Sequence, residues 1–220
     1  VVLNIPTGFS ELQRQIVLSS WRNCVGENVA ISGDGKNDEK IPPLTKVVVD
    51  ASSAALAYAY YHPDNEGKLV TIHLDEASFS VAVAEVVYGV ASIEDTDGVI
   101  HFRNYEMTEE QYVEMLTRAV IDRVKHSLKV VGATVDDVTH IILSGSMLSD
   151  DKGGDGGGDG DGDSAAAAKS IGAKKIRNQV LSLFGDGASE KVVNVDYVMA
   201  TGAAVQAAIL DGIVDNLILL

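Results

Sequence analysis

Apolar residues recur along the chain at two spacings, and segments of the two kinds alternate as in an α/β protein. The spacing of three to four residues is clearest after Thr108 and Gln111, which form a capping box and predict one long amphipathic helix ending at Gly132. A second capping box, Ser10 with Gln13, predicts a helix from about residue 11 to 25. Further helices are predicted at 54–61, 171–184 and 196–210.

Strands are predicted where β-branched and apolar residues form short blocks or alternate with a period of two. They fall at 1–6, 46–49, 69–74, 79–83, 86–93, 141–143 and 192–195. The three strands between residues 69 and 93 follow one another closely, which predicts an antiparallel meander.

Two polar segments interrupt this pattern. Residues 33–43 are polar and rich in Gly and Pro, so they predict a solvated loop. Residues 150–163 are almost only Gly and Asp, so they bury no apolar surface, and the charges of the aspartates repel one another. We therefore predict a disordered acidic loop, which we extend to residue 168.

Composition narrows the classes of function. The chain has 220 residues and 46% hydrophobic content, enough for one large or two small folded domains. Its 17 basic and 32 acidic residues give a net charge of −15, which argues against nucleic acid or an anionic membrane as partner. Cys24 is the single cysteine, so we expect no internal disulfide and a reducing, cytoplasmic location. No apolar run has the roughly 20 residues of a membrane-spanning helix.

The chain begins as if inside a strand, without an initiator Met, so we expect it to be a fragment. Several of its segments share sequence motifs with one family. Residues 5–15 read I-P-T-G-F-S-E-L-Q-R-Q, 50–58 read D-A-S-S-A-A-L-A-Y, and 202–210 read G-A-A-V-Q-A-A-I-L. These resemble V-P-A-x-F-x-x-x-Q-R-Q, N-E-P-T-A-A-A-L-A-Y from its second residue, and G-A-A-V-Q-A-A-I-L of the nucleotide-binding domain of seventy-kilodalton heat-shock chaperones. Weaker likenesses are found at 112–115, 141–146 and 215–220, the last resembling the family's D-L-L-L-L interdomain linker.

The resemblance implies a divergent and truncated actin-like ATPase lobe with a ribonuclease H-like mixed sheet flanked by helices. The family's first lobe, with its phosphate loop and catalytic lysine, has no counterpart, and about a subdomain is missing between residues 93 and 105. The implied division is a first-lobe-like unit at 1–67, a second-lobe-like α/β unit at 68–212 containing the acidic loop 150–168, and a linker-like tail at 213–220. Apolar core is the alternative role for this tail.

The likeness is poorest at the second phosphate loop, where the family reads D-L-G-G-G-T-F-D. Residues 73–80 read H-L-D-E-A-S-F-S, so Asp75 and Glu76 replace two glycines. Two unit charges about 5 Å apart repel by about 3 kcal/mol at an effective dielectric constant near 20. His73 and Ser80 replace the aspartates that manage magnesium and water, so we expect weakened phosphate binding and no metal site.

By resemblance, four residues remain as nucleotide contacts: Ser78, Gly145, Ser146 and Asp196. Asp196 suits a helix N-cap equally well. We assign no catalytic residue, because a histidine such as His73 on an apolar strand is more often a packed or rim residue than a catalyst. Asp50, Asp75 and Glu76 could hold a metal, but adjacent carboxylates at a strand end are usually solvated turn residues.

The expected function is that of a regulatory or co-chaperone component in protein folding with a degraded ATP site, in complexes near ribosomes. No cofactor is expected for this segment alone, and ATP or ADP with magnesium is expected for a complete protein. Two alternatives stay open: an active ATP-driven chaperone whose missing lobe supplies the phosphate contacts, and a structural subunit that keeps only the fold. The expected partners are co-chaperones, polypeptide clients or a second copy of the chain.

Overall fold

Two sheets and five α-helices organise the described part of the chain. The computed structural model describes residues 1–26, 46–75, 78–88, 90–100, 107–145, 147–148, 164–186, 188, 197–215 and 218–219. The strands are β1 Val2–Ile5, β2 Lys46–Val49, β3 Gly67–Leu74, β4 Ser78–Val87, β5 Val90–Ile100, β6 Val138–Ser144 and β7 Ile218–Leu219. The helices are α1 Glu11–Gly26, α2 Asp50–Tyr61, α3 Glu109–Val130, α4 Ser164–Ser182 and α5 Val198–Leu210, with one turn of 3₁₀ helix at Val135–Asp137.

The larger sheet has the strand order β6-β3-β4-β5-β7, and β1 pairs with β2 in a separate parallel sheet. β3, β4 and β5 form the antiparallel meander, while β6 pairs with β3 and β7 with β5 in parallel. The predicted meander and mixed α/β architecture are therefore confirmed. Residues 86–93 are not one strand, however, because the chain turns at Tyr88, which has a φ of 49° and separates β4 from β5.

One face of the larger sheet packs against α3 and α4. Alternate residues of β3 (Val70, Ile72 and Leu74) join one buried cluster with apolar residues of these two helices. α3 begins with the predicted capping box, since Thr108 and Gln111 bond reciprocally. Its C-cap is Val131, and Gly132 follows with a φ of 69°, so the predicted ending is confirmed.

The opposite face packs against α2, which in turn packs against α5. This layer is built of small residues: Ala54, Ala55, Ala57 and Ala59 of α2 are fully buried. Small side chains allow the two helices to approach closely, and a β-carbon on Gly202 of α5 would overlap the backbone carbonyl of Ser53. The A-A-L-A-Y and G-A-A-V-Q motifs thus contact each other.

Two predicted helix starts need correction. α2 begins at Asp50 rather than at residue 54, because an acidic residue in the first turn favours a helix N-terminus. α4 begins at Ser164, so the prediction of disorder is wrong for residues 164–168, where four consecutive alanines have high helix propensity. Residues 33–43, 150–163 and 192–195 lie outside the described residues, and the predictions made for them stay predictions.

The C-terminal tail adds the short edge strand β7 to the larger sheet. Ile218 and Leu219 pair in parallel with Val90 and Ala91 of β5, and Val214 packs against the α2–α5 layer. Within the described part of the chain, no helix combines the length and the apolar character needed to cross a bilayer. The division of the chain at residue 67 stays a prediction.

Candidate functional site at the end of the larger sheet

A row of small and polar residues crosses the larger sheet near the end of β3. His73 lies opposite Ser144 of β6 on one side and opposite Ser80 of β4 on the other, and Ser80 lies opposite Gly98 of β5. Because side chains alternate between faces, the row lies on the face that carries α2. The row is thus one continuous strip across four strands.

His73 is hydrogen-bonded at both ring nitrogens. Its Nε2 lies 2.9 Å from Oδ2 of Asp75, and its Nδ1 lies 3.0 Å from Oγ of Ser144. A carboxylate only accepts hydrogen bonds, so Nε2 carries a proton and, in the neutral ring, Nδ1 accepts from the Ser144 hydroxyl. The side chain of His73 is 16% exposed and that of Asp75 is 43% exposed, so solvent reaches this group.

The loop after β1 covers the other end of the row. A β-carbon on Gly98 would lie 2.6 Å from the backbone nitrogen of Gly8, so only glycine allows this approach. The neighbouring Thr7 brings its backbone N–H to Asp50, donating to Oδ2 at 3.2 Å. The row is therefore closed on this side by the polypeptide itself.

Asp50 is buried at the start of α2, and its main side-chain partner is Asn4 of β1. Asn4 donates from Nδ2 to Oδ1 of Asp50 at 2.9 Å and accepts at Oδ1 from the Ser53 hydroxyl at 2.7 Å. Parallel pairing of β1 with β2, which ends directly before α2, places Asn4 near Asp50. The carboxylate is thus held by neighbouring protein groups on two sides.

Three titratable groups of the site influence one another. Burial raises the pKa of Asp50, and this effect outweighs the charge of His73 and the bonds from Asn4 and Thr7, which lower it. Burial lowers the pKa of His73, but the hydrogen bond to Asp75 and the charges of Asp75 and Asp50 together raise it above its ordinary value. The folded protein therefore raises the pKa of both His73 and Asp50, the first through the neighbouring carboxylates and the second through burial.

Of the four residues predicted to contact a nucleotide, the structure describes two. Ser78 begins β4, and its carbonyl accepts from the Asp75 N–H at 2.8 Å, which closes the turn between β3 and β4. Gly145 follows β6 with a φ of 95°, and a β-carbon there would overlap the carbonyl of Leu74. Both lie beside the row. Ser146 and Asp196 lie outside the described residues, so the nucleotide role of all four stays a prediction.

The sequence drew attention to His73, Asp75 and Asp50 and to the small residues 144–146 after a buried strand, but it did not pair Ser144 with His73 and gave no role to Asn4. The signal that could have identified Asn4 is its polar side chain within the otherwise apolar opening strand. Ser144 becomes a partner of His73 only through the register of β3 against β6, which the pattern of the sequence does not specify. In the described residues, no group of three or more His, Cys, Asp or Glu side chains is arranged to hold a metal ion.

The C-terminal segment of the chain is similar to a known protein family. The family model described as Hsp70 protein matches residues 173–220. This segment is Hsp70-like. It contains most of α4, all of α5 and the β7 tail, and it includes Gly202, whose close approach to Ser53 joins it to α2. The Hsp70 match covers a small part of the chain and indicates a chaperone-like origin.

Proposed function

We propose that this chain is a divergent Hsp70-like nucleotide-binding lobe that no longer hydrolyses ATP and acts as a regulatory or co-chaperone component in protein folding. Its partners are polypeptide clients or co-chaperones, and their binding does not depend on nucleotide. The Hsp70 match at residues 173–220 supports the family origin, and the chemistry of the strand-end row supports the loss of ATP hydrolysis.

The observation that carries the proposal is the His73–Asp75 pair at the turn between β3 and β4. By resemblance this turn corresponds to the second phosphate loop, where backbone amides would surround an anion. Here the Asp75 N–H is already bonded to Ser78, and its carboxylate is partly exposed beside His73. A carboxylate at this position repels phosphate oxygens, so the turn opposes nucleotide phosphates instead of binding them.

Asp50 gives a second, independent argument. By resemblance it occupies the place of a glutamate beside the nucleotide. Its two oxygens are instead bonded to Asn4 and to the backbone of Thr7, and it is 5% exposed. A carboxylate in this state does not orient a water or a metal ion without first breaking these bonds.

Isothermal titration of ATP and ADP with magnesium into the chain tests the nucleotide half of the proposal. We expect no binding to the wild type and measurable binding after Asp75→Asn with Glu76→Gln, which removes the two charges. The control is Asp64→Asn with Glu66→Gln, which changes the net charge equally at two exposed positions between α2 and β3. Binding by the wild type, or magnesium-dependent turnover that is lost in Asp50→Ala, would contradict the proposal and favour an active ATPase.

The chaperone half is tested with a permanently unfolded model polypeptide. We expect the chain to slow its aggregation to the same extent with and without magnesium and ATP. Suppression that requires ATP indicates the active alternative. Absence of any effect on the model polypeptide or on a co-chaperone overturns this half and leaves the structural-subunit alternative.

A further inference from the structure

Ser144, His73 and Asp75 are connected in series by two hydrogen bonds of 3.0 and 2.9 Å. A hydroxyl, an imidazole and a carboxylate in this order are the parts of a nucleophilic serine site. We propose that Ser144, His73 and Asp75 form a nucleophilic site that hydrolyses small uncharged or cationic carboxylic esters. This activity goes beyond the proposed chaperone role and does not depend on nucleotide.

The direction of the hydrogen bonds fits the roles. Asp75 fixes the tautomer that carries its proton on Nε2, so the lone pair of Nδ1 faces the Ser144 hydroxyl. Nδ1 is then placed to take the hydroxyl proton when Ser144 attacks a carbonyl carbon. In the better-known arrangement the two ring nitrogens have the opposite assignment. Conjugation through the imidazole ring makes either assignment competent for acid and base chemistry.

The position of Ser144 at the last residue of β6 supports a nucleophilic role. Gly145 follows with a φ of 95°, so the chain leaves the strand sharply and returns over the end of β3, where Met147 N–H donates to Leu74 O at 3.1 Å. Ser144 itself is the last residue of the strand, so its hydroxyl lies at the end of the sheet, directly before this turn. Ser144 is half-buried, so the hydroxyl is within reach of a small substrate.

The ester and water are the only reactants that this hydrolysis needs. Ser144 Oγ bonds to the ester carbonyl carbon while its proton passes to His73 Nδ1, and the alcohol leaves with that proton. Water then bonds to the acyl carbon, gives a proton to Nδ1 and releases the carboxylic acid, and the proton returns to Ser144. Asp75 is a positioning residue that holds the ring and stabilises its protonated form.

The charges around the row select the class of ester. Asp75 lies directly beside His73, and the charge of Asp50 also acts on the ring. An anionic acid or alcohol part is repelled by both carboxyl groups, whereas an uncharged or cationic part is not. The 16% exposure of the His73 side chain limits the substrate to small acyl groups such as acetyl.

The test uses the whole chain, with p-nitrophenyl acetate as substrate and an alkyl fluorophosphonate as a covalent probe of the nucleophile. We expect the probe to modify Ser144 in the wild type, as identified by peptide mass spectrometry, which needs no variant. We expect Ser144→Ala to abolish modification and turnover, and His73→Gln to reduce both by about 100-fold or more. The matched control is His140→Gln on the same strand β6, which is expected to keep wild-type rates.

Asp75→Asn separates a catalytic assembly from a structural hydrogen bond. We expect a slower rate and a rate–pH profile displaced to lower pH, because the charge and the hydrogen bond of Asp75 raise the pKa of His73. Modification of serines other than Ser144, no modification of the folded wild type, or equal rates in His73→Gln and the wild type would overturn the proposal. Far-ultraviolet circular dichroism of each variant verifies that it is folded.

Discussion

The α2–α5 contact and the strand-end row lie on the same face of the larger sheet, but they differ in what determines their residues. The contact is rich in alanines and includes Gly202, so that small volume is its main requirement, although larger apolar residues such as Leu56 and Val205 also take part. In the row, His73 is hydrogen-bonded to Ser144 and to the neighbouring Asp75. Volume and apolar character specify the first, whereas the second depends on the chemical identity of each group.

The Hsp70 match includes one side of the α2–α5 contact and does not include the strand-end row. The family model matches residues 173–220, which contain α5 but not its partner α2. The β3–β4 turn, where the resemblance would require a phosphate loop, has carboxylates and a histidine. A fold can be retained by its packing while its site acquires a different chemistry.

The largest effect is expected for Gly202→Ala, which disrupts the α2–α5 contact. The added β-carbon overlaps the backbone carbonyl of Ser53, and a backbone atom cannot rotate away as a side chain can. We expect the free energy of unfolding to fall by about 3 kcal/mol or more, measured by urea denaturation.

Gly172→Ala in α4 is the matched control for this substitution. Its β-carbon would lie 3.0 Å from the Val113 Cγ2 methyl, a side-chain atom that can move. Alanine also has a higher helix propensity than glycine by about 1 kcal/mol. A change in Gly172→Ala as large as in Gly202→Ala would show that α2 and α5 are not constrained by close approach.

A smaller effect is expected for Asn4→Ala, which removes the hydrogen bonds that hold Asp50 near the row. The substitution removes the donor to Asp50 and the acceptor for Ser53, so a buried carboxylate loses its side-chain partner. We expect a loss of about 1–3 kcal/mol in the free energy of unfolding. Gln15→Ala removes an exposed side-chain bond to Glu11 and is expected to be nearly neutral. Equal effects of the two substitutions would mean that the Asn4 bonds contribute no more than surface bonds.

Sequence analysis predicted much of the fold because most elements carry local signals. The capping boxes at Ser10 and Thr108 and the apolar period of α3 depend on residues within one or two turns. The turn at Tyr88 was missed because valines continue on both sides of it, and the pattern has no breaker other than Gly89. Sequence pattern locates elements well and short turns within apolar runs poorly.

The candidate site was predictable only in part. Asp75 lies two residues from His73, so proximity along the chain already places the two together. Ser144 and Asn4 join the site through strand pairings across about 70 and 45 residues of chain, which depend on register rather than on any local pattern. For this reason His73 was interpreted as a packed residue, and its second partner became evident only in the folded chain.

The smallest effect on stability is expected from a change of pH, which acts on the titratable groups of the strand-end row and not on the α2–α5 contact. The folded state raises the pKa of His73, mainly through Asp75, although burial opposes this. A group with a raised folded pKa binds its proton more tightly in the folded state, so its stabilisation is complete below the unfolded pKa, about 6.5. That stabilisation is lost as pH rises through the higher pKa of the folded protein. Urea denaturation in steps from pH 5.5 to 9 should therefore show a decline in stability that His73→Gln removes and Gly172→Ala retains. An identical decline in His73→Gln would assign the pH dependence to groups outside the row.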